Sequence, residues 1–563
     1  MSQFSKPKLE TPNRIDARMG TAATTPEQHA PSHAPASWFY FLLGAAGLFL
    51  RLRLAWLTFL NPDEALHYFL AHQPSLKLAY EASLTTAHPP LMILFLHYWS
   101  FLGRSEFFLR LPFVVAGIVF CWVMFLWVRK VASGAVACFA LAMFLFAPSL
   151  ISLSAEMRQY SFLLLFCGCS LYTLERALEK DDASSVRWMA ASAGALYLAL
   201  LTHYSAMIFA ATVGIYGLLS LRRKKWLARL TGAWILTQAG ALTVCVFLYI
   251  SQISKLKKSG MPSEIAATWL RSSIFQPGQD HLAAFAWKST LRLFRYFFSH
   301  GSIGVIAFGL FGFAVVVLLW PDKKSERTWR SRPLAILLAA PFVIALLLAI
   351  FGTYPYGGTR HDVVLAIFAM SGTAVGLDRL PLGVTNKAVK ALLVAAGMLI
   401  CNFYPSPSGP YIRPRNQRRE LMHQAISSIK SLPAGSVIFT DFQGSMVLNY
   451  YLCDDALPFI ATNPLPSFRC GNHSAIASMA TQRGFDRAPF PQLLTDVWRQ
   501  NPKASNLYLF QSGWIDDKEK EWLDELRDLG GTPRNFGPNI LICPIQRSTI
   551  EAPTTSDGSK SRS

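Results

Sequence analysis

The chain has 563 residues, of which 52% are hydrophobic and only 15% are charged, and its mean hydropathy is +0.30. This composition is typical of a membrane protein with many spans and disfavours a large soluble enzyme. The net charge of +20 would suggest nucleic acid as the partner of a soluble protein, but here Lys and Arg fall in short loops between apolar runs. We therefore expect these charges to set the topology and to face anionic lipid, and we exclude nucleic-acid binding.

Composition divides the chain into four segments. Residues 1–35 are polar and without periodicity, which predicts a disordered cytoplasmic head, and residues 546–563 predict a disordered tail. Residues 36–404 carry the long apolar runs of a transmembrane domain, and residues 405–545 alternate short apolar runs with helical patterns. The predicted fold class is mainly α: a polytopic membrane helical bundle followed by a small C-terminal α/β soluble domain.

The number of spans depends on one short apolar run, residues 90–100. A helix over this run would cover roughly 17–20 Å, which is well short of the ~30 Å hydrocarbon core. We interpret it as a juxtamembrane or re-entrant helix in the first outer loop, since counting it as a span would place the basic loops outside. About eleven spans then remain, at 36–57, 108–128, 133–150, 161–178, 186–202, 205–221, 230–250, 302–320, 333–351, 363–377 and 388–403.

The basic loops predict a multi-pass membrane protein with a cytoplasmic N-terminus and an extracytoplasmic C-terminal domain. Arg51 and Arg53, in the last third of the first span, either snorkel outward or point into a polar cavity. Under this topology the polar clusters of the other segments all face outward, whereas chance would scatter them over both faces. They therefore predict one cavity at the outer surface. The clusters are Asp63/Glu64, His88, Glu156/Arg158, His203 and Arg360/His361.

The residue types in these clusters suggest group transfer from a lipid phosphate. A carboxylate that accepts a proton suits activation of a hydroxyl or an amine, and arginines suit a phosphate because they form paired, charge-assisted hydrogen bonds. Apolar walls open to lipid suit a long hydrophobic tail. A lipid or solute transporter is the alternative, although a transporter is expected to show internal repeats and charges near the midplane of the membrane.

The order of five short motifs resembles the GT-C glycosyltransferases of family 39, relatives of the protein O-mannosyltransferases and of the aminoarabinose transferases that modify lipid A. The resemblance covers about residues 36–404. It implies a location in a bacterial inner membrane, a polyprenyl-phosphate-linked sugar as the donor, and an envelope lipid, glycan or protein as the acceptor. The motifs are Asp63-Glu64, His88-Pro89-Pro90-Leu91, Glu156-Met157-Arg158-Gln159-Tyr160-Ser161, Leu201-Thr202-His203-Tyr204 and Gly357-Gly358-Thr359-Arg360-His361.

The same resemblance implies roles for single residues. Asp63 would be the catalytic base, and Glu64 would position either the acceptor or Asp63. Arg158 and Arg360 would contact the lipid phosphate. The role of His361 is open, because relatives often carry Tyr at that point. The donor- and phosphate-binding residues implied in this way are His88, Glu156, Arg158, Tyr160, His203, Arg360 and His361.

Several of these residues also have purely structural explanations. Glu156 and Arg158 could form a surface ion pair at the start of a helix, and His203 could be a hydrogen-bonded histidine at the membrane interface. No cofactor is required by the sequence. A divalent metal remains an option, although the spacing of the candidate ligands matches no standard zinc pattern. These candidate ligands are Asp63, Glu64, His67 and His88.

The C-terminal domain offers two further expectations. Apolar runs at 437–440, 507–510 and 540–542 predict buried strands, and residues 517–529 predict a helix. Cys453 and Cys470 could form a disulfide if the domain lies outside the cytoplasm.

Overall fold

The structure of the chain is a computed structural model, and the description covers the greater part of residues 37–546. The described residues are 37–179, 182–223, 227–258, 270–320, 328–380, 387–403, 418–453, 465–478, 490–502, 504–513, 527, 531–537 and 540–546. The predicted head 1–35 and almost all of the tail 546–563 and of the predicted helix 517–529 lie outside these residues.

The first part of the chain is helical throughout. Its α-helices are α1 (Ser37–Leu57), α2 (Pro62–Ala71), α3 (Leu76–Ser83), α4 (Leu91–Trp99), α5 (Glu106–Val131), α6 (Gly134–Phe146), α7 (Pro148–Ser154), α8 (Tyr160–Glu179), α9 (Ser184–Leu200), α10 (Ala206–Arg223), α11 (Ala228–Leu248), α12 (Ser254–Lys258), α13 (Leu282–Phe298), α14 (Gly301–Leu319), α15 (Thr328–Ile350), α16 (Ala366–Arg379) and α17 (Lys387–Phe403). A π-helical turn, Tyr249–Ile253, joins α11 to α12, and a 3-10 helix, Arg360–Leu365, leads into α16.

The predicted membrane bundle is confirmed. Within the described residues, eight helices are long and apolar enough to cross a membrane, and the bent pair α6 and α7 brings the number to nine. The helices α9 and α17, of 17 residues each, match the two remaining predicted spans. The run at 90–100 forms α4, a helix of nine residues that is too short to cross the hydrocarbon core.

One span is broken at Pro148, and a buried arginine satisfies the break. Pro148 has no backbone N–H, so the carbonyl of Phe144 loses its helical donor, and the chain bends by 55°. Arg51 donates from Nη2 to Phe144 O at 3.1 Å and from Nη1 to Leu145 O at 2.7 Å. Its side chain is fully buried. Of the two expectations for Arg51, outward snorkelling is therefore wrong, because the free carbonyls at the break hold it inside.

The C-terminal part forms a six-stranded mixed sheet, and the three predicted strands are among its members. The strand order is β2-β3-β1-β4-β6-β5, in which β1 is parallel to both β3 and β4 and the other pairs are antiparallel. The strands are β1 (Val437–Asp441), β2 (Ser467–Cys470), β3 (His473–Ser478), β4 (Leu507–Ser512), β5 (Arg534–Gly537) and β6 (Ile540–Ile545). The helices are α18 (Arg419–Lys430), α19 (Phe442–Leu452) and α20 (Phe490–Gln500).

This domain packs directly on α2, the short helix after the first span. Phe59, Ala65 and Phe69 share one apolar core with α18, α19 and one face of the sheet. The Leu60 backbone N–H donates to the Tyr451 hydroxyl at 2.9 Å. Cys453, which follows α19, forms a disulfide with Cys470 in β2, so the predicted pairing is present. The C-terminal domain therefore fixes the position of α2 from outside the bundle.

Candidate active site

Asp63 lies in the first turn of α2, and the way this helix begins determines where its side chain points. Asn61 is the N-cap, Pro62 occupies the first helical position, and Asn61 and Glu64 bond reciprocally as a capping box. These contacts fix the backbone of the turn and leave the Asp63 carboxylate free to point away from the helix. It is 26% exposed, so a small ligand can reach it.

Two arginines from distant segments bind the same oxygen of Asp63. Arg158 Nη1 donates to Asp63 Oδ2 at 2.9 Å, and Arg360 Nη2 donates to it at 2.7 Å. Arg158 follows the broken span, and Arg360 begins the 3-10 helix before α16. Burial alone would raise the pKa of Asp63, but the two guanidinium groups outweigh it and hold that pKa well below its usual range. Asp63 is therefore a carboxylate at neutral pH.

Glu64 binds a different arginine and is closed off from solvent. Arg110, inside α5, donates from Nε to Glu64 Oε1 at 2.7 Å and from Nη2 to Oε2 at 2.5 Å. The backbone N–H of Met157 donates to Oε1 at 2.7 Å, and both charged side chains are fully buried. Glu64 therefore has no surface to offer an acceptor. It joins α2 to α5 and to the loop that carries Arg158.

Four imidazole rings form a continuous row beside Asp63, which we call the histidine row. Neighbouring ring centroids are 5.8 Å, 5.4 Å and 6.2 Å apart along the row. Its members in order are His67, His88, His203 and His361.

The histidine row is uncharged at neutral pH where its members lie outside the spans. Burial, with Arg158 adding to the effect, lowers the pKa of His67 to about 4 and that of His203 to about 3. Burial also lowers the pKa of His88 well below its usual value, and the neighbouring His203 adds to this. Neutral imidazoles give hydrogen-bonding groups to a ligand without adding charge to that of the arginines.

Backbone contacts hold the His88 and His203 loops together. The Leu91 N–H donates to Leu201 O at 3.2 Å. Gln252, in the π-helical turn after α11, donates from its side-chain amide to the carbonyls of Ser83, Thr86 and His88. A π-helical turn commonly marks a functional position in a helix. Here it turns one glutamine toward the loop that carries His88.

Glu156 and Tyr160 complete the cluster from the segment that carries Arg158. Glu156 and Arg158 are buried, and Arg158 binds Asp63 rather than Glu156, so the interpretation as a surface ion pair is wrong. Burial raises the pKa of Glu156 to about 7, although the positive charge of Arg158 opposes the shift. The Arg158 guanidinium carbon lies over the Tyr160 ring, 5.1 Å from its centroid, and this cation–π contact stabilises the position of the arginine.

Residues 87–250 match the family model of the dolichyl-phosphate-mannose-protein mannosyltransferases. The chain is similar to the crystal structure of ArnT from Cupriavidus metallidurans in the apo state, with 14% identity, a TM-score of 0.55 and coverage of 91% of this chain and 98% of that one. It is also similar to the same protein bound to undecaprenyl phosphate, with 13% identity, a TM-score of 0.53 and coverage of 91% and 99%. No curated protein sequence matches this chain.

The chain has the GT-C glycosyltransferase fold. The resemblance inferred from the order of the five motifs is confirmed, since the matching residues 87–250 include three of them. The identities are low, so the likeness to ArnT shows this fold and not the reaction of this chain.

Within the described part of this GT-C chain, no group of three His, Cys, Asp or Glu side chains is arranged to hold a metal ion. Asp63 is turned toward two arginines and Glu64 toward a third. The two carboxylates of the proposed ligand set therefore point to different partners, and the four candidate ligands do not form a metal site in this arrangement.

Sequence reasoning missed two residues that shape the site. Arg110 lies near the start of the apolar span α5, and a charge within a predicted span is a signal that could have been used. Asp362, one residue beyond the last motif, accepts hydrogen bonds from the Gly357 N–H and the Thr359 hydroxyl. It shapes the turn that presents Arg360, and no pattern in the sequence distinguishes it from an ordinary turn residue.

Proposed function

We propose that the protein is a membrane glycosyltransferase that moves a sugar from a polyprenyl-phosphate donor to an acceptor outside the cytoplasm. The observation that carries the proposal is the contact of Asp63 with both Arg158 and Arg360. The matched family model, named for dolichyl-phosphate-mannose-dependent transfer, and the ArnT structure with undecaprenyl phosphate support a lipid-phosphate donor.

In the proposed reaction, the acceptor O–H or N–H attacks the anomeric carbon of the sugar. The bond between that carbon and the phosphate oxygen breaks, and both of its electrons leave with the lipid phosphate. Asp63 takes the proton of the acceptor and becomes a neutral carboxylic acid. The donor is a phosphodiester with one negative charge, and the departing monoester carries up to two, so negative charge develops on the phosphate as it disappears from Asp63.

The two arginines suit this shift of charge. In the ligand-free site they neutralise Asp63, which makes that carboxylate a weak base. A donor phosphate that binds between Arg158 and Arg360 would draw them from Asp63 and raise its basicity. As the leaving phosphate gains charge, the same guanidinium groups bind it more strongly than they bound the donor, which lowers the barrier.

The histidine row and Glu156 are proposed to contact the donor. His88 and His203 are neutral, so each can donate to or accept from a sugar hydroxyl without competing with the arginines for the phosphate. Glu156 has a buried carboxylate oxygen without a hydrogen-bond partner. A buried polar atom without a hydrogen-bond partner is costly, and a hydroxyl group of the sugar donor would supply that partner.

The site is proposed to face the outer side of a bacterial inner membrane. The disulfide between Cys453 and Cys470 supports this orientation, because disulfides persist in oxidising compartments. The C-terminal domain that carries the disulfide packs on α2, so it lies on the same side as Asp63.

The deciding experiment compares envelope lipids and glycans from cells with and without the protein by mass spectrometry. A mass difference of one sugar residue on one product would name the donor class and the acceptor together. The purified protein in liposomes should then transfer that sugar from a synthetic polyprenyl phosphate. Flux of a solute across the liposome membrane without any glycosylated product would support the transporter alternative and overturn the proposal.

A further inference from the structure

A polar cavity lies between α13 and the turns that precede it. Its volume is about 640 Å³, which exceeds what a single phosphate needs and suits a phosphorylated head group. We call it the arginine pocket. Its charged and imidazole lining residues are Arg271, Asp280, His281, Lys288 and Arg292.

Within the ranges that the structure describes, the guanidinium groups of the arginine pocket donate hydrogen bonds to neutral groups. Among the described residues, the Arg271 side chain donates to the neutral Gln279, and Arg292 donates to the Ser272 carbonyl and the Ser289 hydroxyl. None of the described carboxylates forms a salt bridge with Arg271, Lys288 or Arg292.

Asp280 offsets part of the positive charge of the arginine pocket, because its carboxylate interacts electrostatically with Arg292. Among the described lining residues it is the one acidic side chain, and one of its oxygens accepts from the backbone N–H of Gln276. The Nε of Arg292 is buried without a hydrogen-bond partner. In the described part of the lining, three cations therefore face one carboxylate, and the half-buried Arg292 guanidinium retains an unused donor. An anionic ligand would complete this arrangement.

The arginine pocket shares its wall with the segment that carries Arg360. The Ser272 carbonyl accepts from Arg292, and the next residue, Ser273, accepts from the Tyr356 backbone N–H at 2.7 Å. On the same side, Gly358 lies so close to α13 that a Cβ there would come within 2.8 Å of the Arg292 carbonyl oxygen. The backbone of Ser272 and Ser273 would thus separate a ligand in the pocket from the turn that presents Arg360 to Asp63.

We propose that the arginine pocket binds the phosphate of a phosphorylated head group next to the transfer site. Within the proposed function, Arg158 and Arg360 take the donor phosphate, so this second anion site would anchor another molecule. The inference rests on the proposed function for that assignment. A phosphate ester could come from the acceptor or from a bilayer phospholipid, and the experiment separates these two sources.

The test measures binding of inorganic phosphate to the purified full-length chain by calorimetry. Arg360→Gln is introduced first to weaken the donor site, so that the remaining binding reports the arginine pocket. In that background, Arg271→Gln with Lys288→Gln should weaken phosphate binding roughly tenfold or more, since each removes a charge-assisted hydrogen bond. Both side chains are exposed, so the variant should fold. Arg295→Gln, an exposed residue of α13 that does not line the pocket, is the matched control and should change nothing.

Equal phosphate binding in the Arg360→Gln protein with and without the pocket substitutions would overturn the inference. Competition experiments distinguish the two sources of the phosphate ester. Glycerol phosphate in detergent represents a soluble head group. Nanodiscs of phosphatidylglycerol, compared with nanodiscs of phosphatidylcholine, represent the bilayer. If only glycerol phosphate displaces inorganic phosphate, the ligand of the pocket is the acceptor. If phosphatidylglycerol displaces it, the ligand is a bilayer lipid. Because phosphate binding is measured without sugar transfer, loss of the proposed activity and loss of the pocket are distinguishable outcomes.

Discussion

Asp63 and Glu64 are neighbours in the sequence, and each binds arginine, but the two ion networks differ in almost every physical respect. Asp63 is 26% exposed and receives Arg158 and Arg360 through one oxygen, and Arg360 is itself 27% exposed. Glu64 is fully buried, and both of its oxygens are used by Arg110 and by backbone N–H groups. The first network is open to a ligand, whereas the second is closed.

The difference follows from the positions of the two residues in α2. Glu64 is the third residue of the helix, where a glutamate reaches back to cap the helix start. Asp63 precedes it by one residue, which turns its side chain about 100° around the helix axis, away from the cap. Adjacent residues on a helix do not face the same neighbours, so one carboxylate can serve the fold while the other serves chemistry.

The largest effect is expected for Asp63→Asn, which should reduce sugar transfer roughly 10²–10⁴-fold, because an amide cannot accept the acceptor proton. Transfer is measured with purified protein and a polyprenyl-phosphate sugar. The unfolding temperature should fall less than for Glu64→Gln, since water reaches Asp63 and Arg360. Transfer at the wild-type rate by a correctly inserted Asp63→Asn protein would remove Asp63 from the reaction.

Glu64→Gln should act on stability, with an expected loss of about 3–5 kcal/mol, because it leaves the buried Arg110 without its charge partner. Thermal unfolding in detergent measures this. The double variant Glu64→Gln, Arg110→Gln should lose less than the sum of the two single variants, as expected for a coupled pair. An unfolding temperature equal to that of the wild type would show that the closed network does not support the fold.

Arg360→Lys should raise the KM for the lipid-phosphate donor roughly tenfold, since lysine cannot reproduce the forked hydrogen bonds of a guanidinium. Little change in unfolding temperature is expected because the side chain is partly exposed. The same change at the buried Arg158 should affect both donor affinity and stability. Identical profiles for the two variants would argue against the distinction between an exposed and a buried arginine.

The smallest expected effect is the contribution of Glu156 to the pH dependence of stability. Its pKa is raised to about 7 in the folded chain from an ordinary value of 4.5, so its contribution to stability is complete below about pH 4.5 and is lost as the pH rises through about 7. Glu156→Gln should remove this loss, and its advantage in unfolding temperature over the wild type should grow from about pH 5 to pH 8. The variant and the wild type contain the same histidines with lowered pKa values. The measurement therefore compares the difference between the two unfolding temperatures at each pH. A difference that is constant over this range would contradict the raised pKa.

The sequence by itself determined the membrane bundle, the short helix at 90–100 and the C-terminal sheet, because hydrophobic run length and periodicity follow from burial in lipid or in a core. It also singled out the residues that gather around Asp63, because polar groups at the ends of apolar runs are costly unless they have a use. Only the tertiary structure decided which acid meets which arginine. Asp63 and Glu64 look equivalent in the sequence. Their different roles depend on the helix cap and on Arg110, which lies 46 residues after Glu64 in the chain. Such pairings are set by the packing of helices far apart in the chain, which local pattern does not encode.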